Sequence, residues 1–256
     1  MCRSQTILLA ALACALAPSS EARATPCAFE PQGEGRVAAI VDARSFRLGD
    51  GREVRLAGIE PVSPEAARRT AALSAIIAGR EVTLRAEDDA PDRYGRQTAF
   101  VFVAGEQTSV QASLLAQGEA FAAADIADKD CSKALLAAES AGRAAKMGIW
   151  ASASATQKAE STGDILAGNG RFMLVEGRVL SVRQSGATTY LNFGRNWTRD
   201  FAVTISRRML PSLEAAGMAP KSLENRRIRV RGFIETRTGP RIELLRAGQL
   251  ELLAGQ

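Results

Sequence analysis

Apolar and polar residues alternate over short runs in the first half of the chain, a pattern that predicts strands. Longer runs with helical spacing separate them. Strands are expected at 36–41, 45–48, 52–59, 81–86 and 98–103, and helices at 64–78, 109–117 and 133–146. The turn Gly49-Asp50-Gly51 is typical of a hairpin. This order favours a small closed β-barrel with helices packed on it, which is an α+β fold.

A second block of alternating segments follows a stretch with little apolar bulk. Residues 151–170 are rich in Ala, Ser, Thr and Gly, and this composition predicts a linker. Beyond it we expect strands at 172–182, 188–193 and 201–205, a helix at 208–216, and strands at 227–234 and 241–245. Three strands, a helix and two strands follow the order of an OB-fold. We therefore expect a second, smaller OB-like β-barrel domain over residues 171–253.

The N-terminal segment is typical of a secretory signal peptide. Residues 1–24 contain an early arginine, an apolar run at 7–16 and a small-residue cleavage pattern at 22–24. The apolar run is too short to span a bilayer, and no later stretch approaches the roughly 20 apolar residues that a spanning helix needs. Cys14 is a poor lipoprotein acceptor because Ala11 stands where leucine is usual. We expect a periplasmic or secreted protein.

Cleavage after this signal would leave Cys27 and Cys131 as the only cysteines. Two lone cysteines in an oxidising compartment usually pair. We therefore expect a disulfide that ties the mature N-terminus to the start of a later helix, with two free thiols as the alternative.

Composition is that of a globular protein, with 46% hydrophobic and 24% charged residues. The chain has no histidine, which excludes Ser–His and Cys–His nucleophile pairs, histidine-ligated zinc and histidine general bases. Its formal net charge of +5 is uneven: residues 171–256 contain 15 Lys and Arg against 7 Asp and Glu, which leaves 18 against 21 in residues 1–170. We expect a polyanion to be held mainly by the C-terminal half.

Two segments of the first domain carry arginines in a pattern that suits phosphate binding. The strand 52–60 places Arg55 between apolar positions and ends in the carboxylate Glu60, and the turn 92–96 presents Arg96. Guanidinium groups bind phosphate oxygens in pairs of hydrogen bonds, without any need for histidine. The alternative is that both arginines are ordinary surface residues and that Glu60 pairs with one nearby.

These segments resemble the staphylococcal nuclease-like (thermonuclease) family, over about residues 35–150. The matching pieces, in order, are VRLAGIE at 54–60, DRYGR at 92–96, ASLLAQG at 112–118 and the ending at 139–150. The resemblance implies an OB-type five-stranded barrel with three helices. It also implies a secreted, calcium-dependent nuclease that cleaves DNA and RNA phosphodiesters, in which Arg55 and Arg96 are catalytic residues that hold the phosphate.

The resemblance further implies that Asp42 and Glu60 bind Ca²⁺, but the positions around them depart from the family pattern. Arg44 stands where the family has its main calcium carboxylate, and Ser63 stands where it has the proposed general base. Glu65 could serve as that base only if the loop accommodates a two-residue insertion. A fixed positive charge about 4 Å from the ion would cost about 4 kcal/mol at an effective dielectric constant near 20, or roughly a thousandfold in affinity.

Two functions therefore stay open. One is an exported nuclease with weak or altered calcium-type hydrolysis. The other is a catalytically degenerate relative that binds nucleic acid or other polyanions, or acts as a scaffold. In the second case Arg44 joins Arg55 and Arg96 as a third cation facing the phosphate.

The second domain has features that favour single-stranded DNA or RNA. Arginines alternate with apolar residues along one expected strand, which places Arg227, Arg229 and Arg231 on one face. Aromatic and cationic residues lie together in the sequence before it, and the nucleic-acid candidates among them are Tyr190, Trp197 and Arg199. Such a surface stacks bases and follows phosphates. The alternative is a solvated face of arginines, with Trp197 covering a loop.

Overall fold

The computed structural model describes residues 26–62, 65–88 and 90–253. The expected signal peptide and Ser63 lie outside the described residues. In chain order, the first half contains β1 Pro31–Asp42, β2 Ser45–Leu48, β3 Glu53–Leu56, β4 Ile59–Pro61, α1 Ala66–Ile77, β5 Glu81–Arg85, β6 Gln97–Val103, α2 Val110–Ala116, β7 Ala120–Ala122 and α3 Lys129–Ala144.

Five of these strands form a closed barrel in the order β1-β2-β3-β6-β5. Strand β3 runs parallel to β6, and the other pairs are antiparallel. Val54 and Leu56 of β3 are buried in the core while Arg55 between them stays on the outer side, as the alternation predicts. Side chains from all three helices join this core, so the predicted barrel with packed helices is confirmed.

The remaining described strands and helices form a further β unit. They are β8 Gln157–Lys158, α4 Thr162–Ala167, β9 Phe172–Arg178, β10 Ser181–Ser185, β11 Thr188–Asn192, β12 Ala202–Ser206, α5 Leu210–Ala215, β13 Arg227–Phe233, β14 Glu235–Thr236, β15 Pro240–Leu244 and β16 Leu250–Leu252. Two sheets, in the orders β10-β11-β12-β15-β14 and β16-β13-β9-β8, share one apolar core.

Two details of this unit differ from the sequence-based expectation. The single strand expected at 172–182 is divided into β9 and β10, which belong to different sheets. The expected linker at 151–170 carries regular structure, because β8 pairs in parallel with β9 and Ile165 of α4 is fully buried. The segment has few apolar side chains, but Ile165 and Ala159 are buried and its strand is held through backbone hydrogen bonds, which composition does not reveal.

Cys27 and Cys131 form a disulfide, which confirms the predicted pairing. Cys131 lies in the first turn of α3, where the side chain of Asp128 caps the helix by accepting from the Cys131 amide. The bond therefore fastens the chain just before β1 to the start of the last helix of the barrel. Within the described part of the chain, no helix is long and apolar enough to cross a membrane.

Candidate functional site

Arg55 lies in the middle of β3, opposite Ser45 on β2 and Thr98 on β6. Its two strand neighbours are in the barrel core, so the arginine side chain leaves the barrel on the outer side, where it is half-buried. Burial is the main reason why the pKa of Arg55 lies below its usual value, and the nearby cations Arg44 and Arg96 add to the effect. A site that crowds three guanidinium groups favours a negatively charged ligand.

The turn before β6 presents Arg96 and is organised by Asp92. One carboxylate oxygen of Asp92 accepts from the amides of Tyr94 and Arg96 at 2.9 and 3.1 Å, and the other accepts from Nε and Nη2 of Arg96 at 2.9 and 2.7 Å. These hydrogen bonds lower the pKa of Asp92 to about 2. Asp92 therefore orients Arg96 and stays ionised at any physiological pH.

An open pocket of about 720 Å³ lies between this turn and the strands. It is lined by Arg55, Asp92, Arg93, Tyr94, Arg96 and Thr98. The ring of Tyr94 is 66% exposed, and the guanidinium groups of Arg93 and Arg96 lie 4.7 and 5.0 Å from its centroid. Cation–π contacts on an exposed ring keep both arginines close to the pocket. The two segments that the sequence singled out therefore meet in one cationic pocket.

The carboxylate Glu60 reaches this region through a tight turn. Gly58 has φ = +70°, and a Cβ there would lie 2.8 Å from Leu135 Cδ1 of α3, so only glycine fits. The turn starts β4, whose residue Glu60 pairs with Phe121 of β7. The Glu60 side chain is only 14% exposed.

Arg44 occupies the centre of the expected metal side. Its guanidinium forms an ion pair with Glu60 through Nη1 and donates to the Ile59 carbonyl at 3.3 Å. Its amide donates to Oδ1 of Asp42 at 2.8 Å. Both carboxylates expected to bind calcium are thus engaged by one arginine. Because this carboxylate is poorly solvated, burial raises the pKa of Glu60 more than Arg44 lowers it.

Asp125 is a further charged residue of this region that the sequence did not single out. It follows β7, keeps an exposed surface, and lies within electrostatic reach of Glu60, Arg44 and Arg246. The surrounding protein nevertheless raises the pKa of its carboxyl through desolvation. No short-range pattern could have identified it, because β4 and β7 are sixty residues apart in sequence and only their pairing brings Asp125 near Glu60.

Glu65, the possible general base, lies elsewhere. Its carboxylate is 3.5 Å from both Arg68 and Arg69 at the start of α1, and neither arginine lines the pocket of Arg55. The Arg69 side chain is buried and also pairs with Glu119. Glu65 therefore belongs to an ion network at the helix start, and nothing in its contacts connects it to the phosphate side.

Residues 53–152 match the family model described as staphylococcal nuclease homologue. Residues 53–152 therefore form a domain of this family. The match includes Arg55, Glu60 and Arg96, whereas Asp42 and Arg44 lie just before it on the same barrel. No curated protein gives a significant match to the chain.

Members of the staphylococcal nuclease family are in general calcium-dependent, but the side chains present here do not fit that ion. Calcium binds six to eight oxygens, usually from several carboxylates. Here Glu60 is paired with the Arg44 guanidinium, Asp42 accepts from the Arg44 main-chain amide, and among the described residues no cluster of three or more His, Cys, Asp or Glu could hold a metal. We therefore assign no step of this domain's chemistry to calcium.

The prediction that the three arginines of β13 bind nucleic acid is wrong for two of them. Arg231 is fully buried and binds Glu139 of α3, Glu251 of β16 and the Ala122 carbonyl. Arg229 is largely buried between Glu176 and Glu251. Neither can reach a nucleic acid, because carboxylates of neighbouring strands and of the first unit cover them. Only Arg227 of the three is exposed.

The aromatic residues of the second unit also differ in exposure. Trp197 is 70% exposed on a turn in which Asp200 accepts from the Asn196 amide at 2.8 Å, and Arg199 is exposed beside it. Tyr190 is half-buried in the middle of β11. Phe193 and Phe201 belong to the core, in agreement with the alternative reading of these aromatics.

Proposed function

We propose that this chain binds the phosphodiester backbone of nucleic-acid strands at Arg55 and Arg96, without calcium-dependent hydrolysis. The match of residues 53–152 to the staphylococcal nuclease homologue model supports a nuclease-family role for this domain. The pocket supplies what phosphate binding needs, namely two guanidinium groups held in place by a strand and by Asp92. Arg44 adds a third positive charge within electrostatic reach of Arg55.

The observation that carries this proposal is the ion pair between Arg44 and Glu60. Where a calcium ion would have to bind, a covalently attached cation already neutralises the buried carboxylate. An arginine stabilises negative charge on a phosphate but activates no water molecule. Glu65, the remaining candidate base, is held by Arg68 and Arg69 at the start of α1. The site thus offers a phosphate-binding half, and none of the described residues supplies a route to activate a nucleophile.

The test compares binding and cleavage in one preparation. Purified residues 25–256 are mixed with a labelled single-stranded DNA and with an RNA of the same length, in calcium and in chelator. Fluorescence anisotropy measures binding, and a denaturing gel measures cleavage. We expect intact strands to be bound equally well in both buffers, and the binding to fall at least tenfold in Arg55→Ala/Arg96→Ala.

Arg47→Ala is the matched control, because Arg47 is an exposed arginine on the adjacent strand β2 and pairs only loosely with Glu53 at 3.5 Å. Removing it takes away one positive charge from outside the pocket, as Arg55→Ala alone does from inside it. Cleavage that requires calcium and disappears in Arg96→Ala would overturn the proposal in favour of hydrolysis. Binding that the Arg47 and Arg55 variants weaken equally would show that the pocket itself has no special role.

We also propose that the protein is exported. The disulfide between Cys27 and Cys131 supports this location, because such bonds persist in oxidising compartments and are rare in the cytosol. Fractionation of cells that express the full chain with a C-terminal tag tests the proposal. A tagged protein recovered in the cytosol with both thiols free would contradict it.

The exposed turn of Trp197 and Arg199 fits base stacking and phosphate contact, and a nucleic-acid role for this turn stays a prediction.

A further inference from the structure

A second cationic groove lies between the two units, away from the pocket of Arg55. It has a volume of about 600 Å³ and is bounded on one side by the end of α3 and the segment after it, and on the other by β9 and β13. The charged residues that line it are Arg143, Lys158, Glu160, Glu176, Arg178, Arg227 and Arg229. Five cations against two carboxylates give the groove an excess of positive charge.

Part of that charge is already used within the protein. Arg143 donates to Glu139 at 2.7 Å, and Arg229 lies between Glu176 and Glu251. The other three cations, Lys158, Arg178 and Arg227, have exposed side chains, and none of them pairs with a carboxylate of the described residues. These three are therefore available to a ligand.

Two of the available cations face each other. Arg178 of β9 and Arg227 of β13 are directly opposite in the antiparallel ladder. Side chains at such positions have Cβ atoms about 4.5–5.5 Å apart, and like charges there are destabilising. Among the described residues the Arg178 guanidinium donates only to the Asn225 carbonyl, at 3.3 Å, and the carboxylate that interacts electrostatically with Arg227, Glu176, is already bound by Arg229, so the repulsion is only partly relieved. An anion bound between the two guanidinium groups would relieve it.

The wall of the groove contains buried donors without acceptors. Trp150 is 9% exposed, its indole Nε1 is buried, and no described residue accepts from it; the same holds for Nε of Arg143, whose guanidinium stacks 4.9 Å from the Trp150 ring. A buried donor left unpaired is costly. The three unpaired cations on the surface of the groove call for a ligand rich in negatively charged acceptor oxygens.

We infer that this groove is a second phosphate-binding site, which holds the backbone of a nucleic-acid strand through Arg178, Arg227 and Lys158. The groove presents no exposed aromatic ring, since Trp150 is covered by Arg143, so it contacts phosphates and does not stack bases. This inference rests on the proposed function for one thing only, the class of ligand. The groove itself is independent, because it shares no residue with the pocket of Arg55.

The test uses full-length mature chain and a labelled single-stranded oligothymidylate of twenty nucleotides. The variant is Arg178→Gln/Arg227→Gln, and the matched control is Arg207→Gln/Arg208→Gln, which removes two exposed arginines of the same unit from outside the groove. We expect about tenfold weaker binding for the groove variant. The slope of log affinity against log salt should fall by about 1.4, since each contact to a single strand contributes about 0.7. The control should change both quantities much less.

Thermal unfolding shows whether the variant folds. Because the substitutions remove a like-charge pair, we expect the variant's Tm without ligand to equal or exceed that of the wild type. Inorganic phosphate distinguishes a free anion from a strand: if it saturates the groove while the oligonucleotide shows no groove-dependent binding, the strand assignment is overturned. Displacement of the oligonucleotide from the groove by polyglutamate at equal charge concentration would overturn it in favour of an acidic peptide.

The two proposals fail separately. If Arg55→Ala/Arg96→Ala binds as the wild type does while the groove variant is impaired, the proposed pocket is wrong and the groove stands. If the groove variant matches its control in affinity and salt slope, the groove inference is overturned, whatever the pocket variant does.

Discussion

Two strands of this protein carry arginines in the same sequence pattern, with opposite outcomes. On β3, Arg55 lies between buried apolar residues and points to an open pocket whose other cations repel it. On β13, Arg231 also alternates with buried apolar residues but points into the contact between the two units, where Glu139 and Glu251 neutralise it. Arg55 is therefore available to a ligand, whereas Arg231 is neutralised by ion pairs within the protein.

The difference depends on what covers the outer face of each strand. The outer face of β3 is left open to the pocket, whereas on β13 the helix α3 contributes Glu139 and the neighbouring strand β16 contributes Glu251. An arginine row therefore predicts anion binding only where no acidic surface of the same protein lies on it. Arg227 lies at the open end of β13 and is exposed, so it resembles Arg55 of β3 rather than the buried arginines of its own strand.

The largest expected effect is on stability, at Arg231. In Arg231→Met, Glu139 keeps Arg143 but loses the buried guanidinium that binds both of its oxygens. Breaking a buried ion pair from one side typically costs about 3–5 kcal/mol. We expect a loss of this size in the free energy of unfolding, measured by urea denaturation.

Arg227→Met on the same strand is the control for Arg231, and it should change stability by less than about 0.5 kcal/mol. The double variant Arg231→Met/Glu139→Met should recover part of the loss, because it removes both charges. Equal losses in Arg227→Met and Arg231→Met would remove the distinction between the two arginines.

The next effect is on binding, at Arg55. We expect Arg55→Ala to weaken the binding of a single strand about 10- to 100-fold, since a hydrogen bond to a charged group contributes about 1.5–3 kcal/mol. The free energy of unfolding should change little, because Arg55 donates to no carboxylate at hydrogen-bond distance among the described residues. Filter binding and urea denaturation on the same samples would measure both. A variant that loses stability but not affinity would make Arg55 a structural residue like Arg231.

A smaller effect is expected from pH. Desolvation raises the pKa of both Glu60 and Asp125, so each carboxyl takes up a proton at a higher pH than an ordinary glutamate or aspartate does as the pH falls from neutral. Each proton removes a negative charge close to the phosphate site, while the strand stays fully ionised. We expect affinity to rise a few-fold towards mildly acidic pH, measured by anisotropy at constant ionic strength.

The variant Glu60→Gln/Asp125→Asn tests the origin of this pH dependence. Neither side chain can ionise, so binding should be tighter at neutral pH and should hardly change as the pH falls. An affinity that decreases with acidification in the wild type, or an unchanged profile in the variant, would show that these carboxyls do not face the bound strand.

Much of the barrel could be predicted because its pattern is local. The alternation in β3, the glycine turn before β4 and the sequence of the turn at 92–96 each depend on neighbouring residues, and the structure has all three. The meeting of Arg55 with Arg96 also followed, since the resemblance fixed the order of the strands that carry them.

The remaining features depend on contacts between distant segments. Burial of Arg231 requires α3 to lie against β13, ninety-two residues away in sequence, and the role of Asp125 requires β7 to pair with β4. The regular structure at 157–167 could not be predicted from composition for the same reason, because β8 is defined only by its pairing with β9. The departure at Arg44 was visible in the sequence, but its pairing with Glu60 required the three-dimensional position of β4.

The most direct test of the central claim, that Arg44 has replaced the metal, is a calcium titration of the wild-type chain and of Arg44→Asp by isothermal calorimetry. For the wild type we expect no saturable heat at millimolar calcium, because the Arg44 guanidinium already pairs with Glu60 and the Arg44 main-chain amide already donates to Asp42. In Arg44→Asp a carboxylate joins Asp42 and Glu60, and we expect saturable calcium binding in the millimolar range or tighter. Saturable binding by the wild type that Glu60→Gln abolishes would contradict the claim.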